Sequence, residues 1–225
     1  MFEFHVEGLA LSQKQVLSAL SIRVQPGETH CLLGPSGSGK TTLLNLMAGL
    51  AQENVEALGN GAKDKNYWSP NPPEIGYLFQ QPRLLPWRTI MQNLLLVEPD
   101  KEVVLNLLEE VKLQDYVDYY PAKISLGMAR RVALVRCLLL KPELVLMDEP
   151  LTSLDLPTAR EMRVLIKRLV CDHPTRSMLY VTHDLDEALE LGDSVSVLGN
   201  VPAQVIYNSR IDEVSRNELE ALLKH

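Results

Sequence analysis

Apolar residues in this chain repeat with two different periods, and the changes of period mark its elements. Phe2, Phe4 and Val6 alternate with polar neighbours, and Leu20, Ile22 and Val24 alternate again before the turn Gln25-Pro26-Gly27-Glu28. Residues 1–33 therefore read as strands in a hairpin-rich start. The apolar segment His30-Cys31-Leu32-Leu33 runs into Gly34-Pro35-Ser36-Gly37-Ser38-Gly39, and residues 40–49 then take helical spacing and end on Gly49. The order is strand, glycine loop, helix.

Residues 51–74 are polar and rich in Gly, Asn and Pro, which predicts short edge strands and loops, with the pair Tyr67-Trp68 serving packing. Ile75-Gly76-Tyr77-Leu78-Phe79 reads as a strand, and Pro82 and Pro86 break the pattern before a mostly helical region from about 91 to 140. Leu144-Val145-Leu146-Met147 and Met178-Leu179-Tyr180-Val181 are apolar throughout, as strands of a parallel sheet covered on both faces are. A helix over 158–170 separates them. A further strand is expected over 194–198 and a helix over 212–224. At about 150 residues per domain, 225 residues make one large domain or one domain with an insert, for which the helical region is the candidate.

Charge narrows the partners. Lys and Arg number 22 against 29 Asp and Glu, a formal net charge of −7, so no global positive field exists to hold nucleic acid. The three cysteines, Cys31, Cys137 and Cys171, are far apart and odd in number, which fits a reducing, cytosolic compartment. The N-terminal residues lack the basic start and apolar stretch of a secretory signal. The best apolar run, residues 132–140, is broken by Arg136 and falls far short of the roughly 20 residues that span a bilayer. The chain itself is not expected to cross a membrane.

Residues 34–41 fit G-x-x-x-x-G-K-[ST] at every fixed position, between a strand and a helix as the motif requires. The glycines, with Pro35, Ser36 and Ser38 between them, let successive amides face one anion, and the helix N-terminus adds partial positive charge. Lys40 would neutralise terminal phosphates, the Thr41 hydroxyl would ligate Mg²⁺, and Thr42 would add a phosphate contact. Further on, an apolar strand delivers Asp148 and Glu149 at its C-terminal end, where open α/β sheets bind ligands. Adjacent strand residues face opposite ways, so Asp148 suits Mg²⁺, directly or through water, and Glu149 suits the base that aligns attacking water. The alternative is that both merely cap the next helix.

With these motifs the chain resembles an ATP-binding cassette (ABC) ATPase, the nucleotide-binding subunit of a membrane transporter, over nearly all of its length. The resemblance makes residues 34–41 the Walker A loop, residues 144–148 Walker B, and Glu149 the catalytic carboxylate. It makes Gln80 the glutamine that reaches Mg²⁺ and the attacking water, Ser153-Leu154-Asp155 the D-loop, and His183 the switch histidine that contacts the γ-phosphate. The implied fold is α/β: a P-loop NTPase (RecA-like) core, about 1–82 and 143–225, with an N-terminal antiparallel β subdomain and an inserted α-helical subdomain at about 83–142. Phe79-Gln80-Gln81-Pro82-Arg83-Leu84-Leu85-Pro86-Trp87 is similar to a stretch typical of nitrate, sulfonate and taurine importers, so the solute is expected to be small and anionic or polar.

The resemblance also implies an assembly at the cytoplasmic face of the inner membrane. Two copies would face each other around two ATP molecules, with Ser125 and Gly127 of one reaching the nucleotide of the other. Transmembrane permease subunits would grip the cleft beside Gln80, where residues 83–87 add contact surface, and a periplasmic solute-binding protein would join them indirectly. Two positions depart from the pattern. Leu126 stands where the family has glycine, so it is expected to obstruct closure, or to cost about 1 kcal/mol if its backbone takes positive φ. Leu11 falls where an aromatic stacks on adenine, forfeiting about 1–3 kcal/mol if nucleic-acid stacking values transfer, with Val16 and Leu11 left to pack on the base. Both point to weaker nucleotide affinity or slower turnover. They also keep open a second reading, a regulatory or cytosolic ABC-type ATPase.

Arg130, Arg131 and Arg136 follow Ile124-Ser125-Leu126-Gly127-Met128, the segment the resemblance aligns with the family's LSGGQ, and read as a solvated face or structural ion pairs rather than a phosphate patch. His5, His30, His173 and His225 lack metal-ligand spacing. Ser36, Ser38 and Ser153 lack the setting of a hydrolase nucleophile.

Overall fold

The computed structural model describes every residue except 13, 51–54, 58–66, 174, 200 and 224–225, and the side chains of 11 and 55–57 also lie outside the description. Near the N-terminus, β1 (Phe2–Val6) pairs antiparallel with β4 (Leu20–Val24), register Phe2 with Val24, and with the short β7 (Trp68–Ser69). A second antiparallel sheet joins β3 (Lys14–Leu17), β2 (Leu9–Leu11) and β6 (Val55–Ala57). Trp68 meets the Phe4 ring edge-on at 5.1 Å and donates its indole N–H to the Met47 carbonyl, so the aromatic pair is packing.

The main sheet contains β5 (Thr29–Leu33), β8 (Ile75–Leu78), β9 (Leu144–Asp148), β10 (Ser177–Thr182), β11 (Ser194–Leu198) and β12 (Val205–Arg210), in the order β12-β11-β5-β10-β9-β8. All neighbours are parallel except β12. Its apolar strands are explained by two cores. Cys31, Leu33, Val145, Met147, Met178 and Tyr180 face one side, while Leu32, Leu144, Leu146, Leu179 and Val181 face the other. Period two assigns alternate residues to opposite faces, and both faces are dry.

α1 (Lys40–Met47) packs on the second face beside the antiparallel sheets. α5 (Leu156–Ile166), α6 (Leu185–Leu191) and α7 (Arg216–Leu222) cover the first. Between β8 and β9 lie α2 (Ile90–Leu94), α3 (Lys101–Glu110) and α4 (Leu126–Leu139), which share a third core of Ile90, Leu94, Val104, Leu108, Val132, Val135 and Leu139. The α/β fold with antiparallel strands at its start and a helical insertion is thus the one the sequence predicts. No described helix is long and apolar enough to cross a membrane.

Several local expectations need correction. The tail helix begins at Arg216, capped by the Ser215 hydroxyl, with only a 3-10 turn at Ile211–Glu213 before it. α5 stops at Ile166 and passes into a π-helical turn over Lys167–Cys171. The strand β12 and the helix α6 were not anticipated. β12 is an edge strand whose residues alternate between half-buried and exposed, a weak apolar signal, and α6 spans only seven residues.

His30 is a core residue, 2% exposed, hydrogen-bonded through its two ring nitrogens to Ser194 (2.7 Å) and Ser196 (2.9 Å). Burial pulls its pKa from 6.5 down to about 4, against the opposing pull of Glu28. Between these values the unfolded chain binds a proton and the folded one does not. The stability this lowered pKa contributes is fully present above pH about 6.5 and is lost as pH falls toward about 4, by up to ~3 kcal/mol. His30→Gln, which keeps hydrogen bonding without titrating in this range, is expected to flatten that part of the urea-midpoint profile. An unchanged slope would assign the acid sensitivity to other groups.

Candidate functional site

At the C-terminal end of β5 the chain turns through Gly34, Pro35, Ser36, Gly37, Ser38 and Gly39 into α1. Gly37 has φ +80° and Gly39 +90°, in the left-handed region that favours glycine. A Cβ on Gly39 would also lie 3.2 Å from Leu17 Cδ2, so β3 rests directly against the loop. Gly39 brings no side-chain cap to α1, and the Ser38 hydroxyl is buried without a hydrogen-bond partner among the described residues. An unsatisfied buried hydroxyl beside uncapped helical amides is the donor set that phosphate oxygens complete. The loop fits a nucleotide phosphate.

Lys40 is 5% exposed, and its ammonium donates to the carbonyls of Gly34 and Pro35, both at 2.8 Å. Glu149 Oε1 lies 4.0 Å from Nζ. Burial lowers the Lys40 pKa, and the nearby Glu149 and Asp148 carboxylates oppose that shift. The Thr41 hydroxyl sits 3.0 and 2.9 Å from the two oxygens of Asp148. Burial raises the Asp148 pKa, against the hydrogen bond from Thr41, while Glu149 adds to the rise. Hydroxyl and carboxylate oxygens side by side match the hard oxygen ligands that Mg²⁺ takes. Thr42 follows, half-buried, on the same helix.

Glu149 corrects one detail of the sequence reading. β9 ends at Asp148, so the two carboxylates are not separated by strand alternation. Glu149 instead has φ +43°, held by a hydrogen bond from its N–H to the Val181 carbonyl at 3.0 Å. A left-handed conformation in a non-glycine residue costs on the order of 1 kcal/mol and persists where surrounding contacts enforce it. The turn places Oε2 at 3.2 Å from His183 Nδ1, and Oε2 also accepts from the Thr152 hydroxyl at 3.1 Å. Lys40, Thr41, Asp148, Glu149 and His183 thus form one cluster at the C-terminal edge of β5, β9 and β10.

Other expected site residues lie outside it. Gln80 is exposed, two residues past β8, and no hydrogen bond among the described residues joins it to the cluster. Val16, half-buried in β3 beside Leu17, is near the glycine loop, and the side chain of Leu11 lies outside the described residues. Ser125 caps α4, accepting from the Met128 N–H at 3.2 Å. Leu126 is the first residue of that helix and is 45% exposed, without positive φ, so the expected backbone penalty does not arise. Gly127 is buried against α5, where a Cβ would meet Thr158 Cγ2 at 2.4 Å. Arg130, Arg131 and Arg136 are structural. They contact the Pro150 carbonyl, Glu161, and the carbonyls of Pro82 and Arg83 respectively.

Sequence reasoning passed over Thr152, Tyr180, Thr182 and Glu187. The available signal was a pair of hydroxyls, Tyr180 and Thr182, at alternate positions near the end of a largely apolar strand, followed at short range by an acid in a helix.

Comparison with known proteins follows the same line. A family model described as ABC transporter matches residues 17–152. The aliphatic sulfonates import ATP-binding protein SsuB 1 of Pseudomonas syringae pv. syringae (strain B728a) is 37% identical, across 92% of this chain and 84% of its own. SsuB of Granulibacter bethesdensis, bearing the same description, is 42% identical across 84% and 76%. Among solved structures, an ATP-binding subunit of an ABC transporter superposes with a TM-score of 0.78 at 22% identity over 100% of both chains. A dimeric bacterial ABC transporter cassette gives 0.76 at 24% identity over 94% and 99%.

The tight approach at Gly127 gives a direct test. Gly127→Ala is expected to destabilise the chain by about 1–3 kcal/mol through overpacking. Thr158→Ser, which removes Cγ2 and keeps the hydroxyl, is expected to restore most of that loss in a urea double-mutant cycle. Additive losses would show that Gly127 answers to some other constraint.

Proposed function

The chain belongs to the ABC transporter family, and we propose that it hydrolyses ATP to drive the import of aliphatic sulfonates or closely similar small organic anions. Binding and hydrolysing ATP to power a membrane transporter is the function the family assigns; the solute, the metal, the residue roles and the assembly are the proposal. The observation that carries it is the cluster of Lys40, Thr41, Asp148, Glu149 and His183 beside an unsatisfied, glycine-shaped loop. The solute rests on the sulfonate-importing relatives and on residues 79–87.

In this reading the amides of residues 36–42 and the Ser38 hydroxyl bind phosphate oxygens, and Val16 with Leu11 borders the base. Lys40 exchanges its two carbonyl partners for the terminal phosphates, a stronger, charge-assisted bond. Thr41 and Asp148, together with Gln80, would hold Mg²⁺, and the ion would supply positive charge to offset that of the phosphate oxygens. Glu149, fixed by Thr152 and His183, orients the attacking water and accepts its proton, while His183 reaches the γ-phosphate.

A second copy supplies Ser125 and Gly127 across the site, so ATP draws the pair together and hydrolysis releases it. The core spans about 1–82 and 143–225, with a helical subdomain at about 83–142. Beside it a cleft of ≈ 410 Å³, lined by Leu50, Tyr77, Phe79, Arg83, Val97 and Leu140, receives a permease subunit. That partner would hold the chain at the cytoplasmic face of the membrane, with a periplasmic solute-binding protein beyond it. The helical, exposed setting of Leu126 weakens the alternative of a regulatory module with little turnover.

Glu149→Gln is expected to lower ATP turnover by about 10²–10⁴-fold while ATP-dependent pairing of copies persists. Light scattering with a coupled phosphate assay reads both, and normal turnover would remove Glu149 from its role. In vesicles carrying the permease, ATP turnover should rise with an alkanesulfonate and its binding protein. A response to a neutral sugar instead would overturn the solute assignment.

A further inference from the structure

His183 reaches Glu149 from a side chain that is 54% exposed, so little packing holds the imidazole itself. The backbone on either side of it is anchored instead. On one side, the Thr182 hydroxyl, buried in β10, donates to Glu187 Oε2 at 2.7 Å. On the other, the Asp184 N–H donates to that same Thr182 hydroxyl at 3.0 Å. Because the hydroxyl proton goes to the carboxylate, its lone pairs face the amide, and the direction of both bonds is set by Glu187. The Tyr180 hydroxyl donates to the same Oε2 at 2.8 Å. Asp184 closes the turn by accepting from the N–H groups of Asp186 and Glu187 at the start of α6.

Glu187 is only 8% exposed. Burial raises its pKa, opposed by its two hydroxyl hydrogen bonds and by the nearby Arg163 guanidinium. Nothing in core packing requires a carboxylate here, and placing one in the interior is costly unless its hydrogen bonds are complete. Those bonds lead, through one hydroxyl, to the residues immediately before and after His183.

We infer that Glu187 is a positioning residue for ATP hydrolysis: by holding Thr182, and through it the Asp184 amide, it fixes the backbone that aims His183 at Glu149. This rests on the role of His183 given above. Both hydroxyls bond to one carboxylate oxygen, and an amide oxygen placed there accepts the same pair. The acceptor, rather than the charge, is what His183 requires.

The experiment compares steady-state turnover and equilibrium ATP binding in the full chain assembled with its permease. Glu187→Ala is expected to lose at least about tenfold in kcat with ATP affinity within about threefold of wild type, the split expected of a group acting on the reacting geometry. Glu187→Gln should keep kcat within about threefold. In a His183→Ala background, Glu187→Ala should cost nothing further, because coupled residues do not add. Thr182→Val removes both bonds at nearly constant shape and should match Glu187→Ala, which carries the test should the alanine variant fold poorly. Normal turnover of Glu187→Ala beside a slow His183→Ala would overturn this inference alone, as would losses that multiply in the double variant. Normal turnover of His183→Ala would overturn the reading of His183 and this inference with it.

Discussion

A lysine ammonium held almost entirely away from water, at the edge where β5, β9 and β10 end, is the constraint around which the other site residues are arranged. A buried cation is tolerated only with partners, and here two backbone carbonyls and a carboxylate at 4.0 Å supply them. The same dry environment raises the Asp148 pKa, so positive and negative groups are adjusted in opposite directions by one cause. Lys40 against Asp148 and Glu149 leaves the cluster with an excess of negative charge. A polyphosphate entering such a cluster meets repulsion from two carboxylates and attraction from one ammonium. That imbalance is the physical reason the proposed mechanism calls for a divalent cation, which Thr41 and Asp148 would hold.

The part of the sheet that carries this cluster is dry, because β5, β9 and β10 are buried along their whole length. Alternate residues of β5, β9 and β10 enter different cores, and each core is completed by different elements: helices on one side, α1 with the N-terminal antiparallel strands on the other. The antiparallel strands therefore do more than cover the sheet. Leu17 of β3 occupies the space a side chain at position 39 would need, so the antiparallel strands flank the curl of the glycine loop. A loop whose backbone must be preorganised for an anion gains from such close packing, since an ordered loop loses less freedom when its ligand arrives.

Much of this was legible in the sequence, for reasons that differ by element. The glycine loop was readable because its chemistry demands fixed residue types at fixed spacing, and β9 and β10 because two covered faces favour a run of apolar residues, Leu144–Met147 and Met178–Val181. β12 and α6 were not, since a half-exposed edge strand and a seven-residue helix carry little periodic signal. The positive φ of Glu149 was invisible for another reason: nothing about a glutamate announces a left-handed backbone, which is imposed by the Val181 carbonyl from a neighbouring strand. Leu126 misled because a pattern of glycines suggested a backbone requirement that helix α4 does not impose there. Glu187 was hidden among the acids at the start of α6, whose position on a short helix resembles any solvated face until the Tyr180 and Thr182 hydroxyls are seen beneath it.

Helix α4 joins these parts. It contributes Ala133, Leu134, Cys137 and Leu138 to the core of the main sheet and Val132, Val135 and Leu139 to that of the helical insertion, so it belongs to both. Its arginines reach two separate loops through backbone carbonyls. Arg130 grips Pro150, one residue past Glu149, and Arg136 grips Pro82 and Arg83, just past Gln80. Arg83 in turn lays its guanidinium over Phe79, 3.9 Å from the ring centre, so the segment around Gln80 is clasped from both ends. Carbonyl acceptors bind these arginines to main chain rather than to mobile side chains. A displacement of α4 along its axis would stretch these carbonyl bonds unless the backbone beside Gln80 and the backbone beside Glu149 moved with it. The bonds that make the arginines structural thus run from one helix to both the cleft proposed for a permease and the turn beside the carboxylate proposed for hydrolysis.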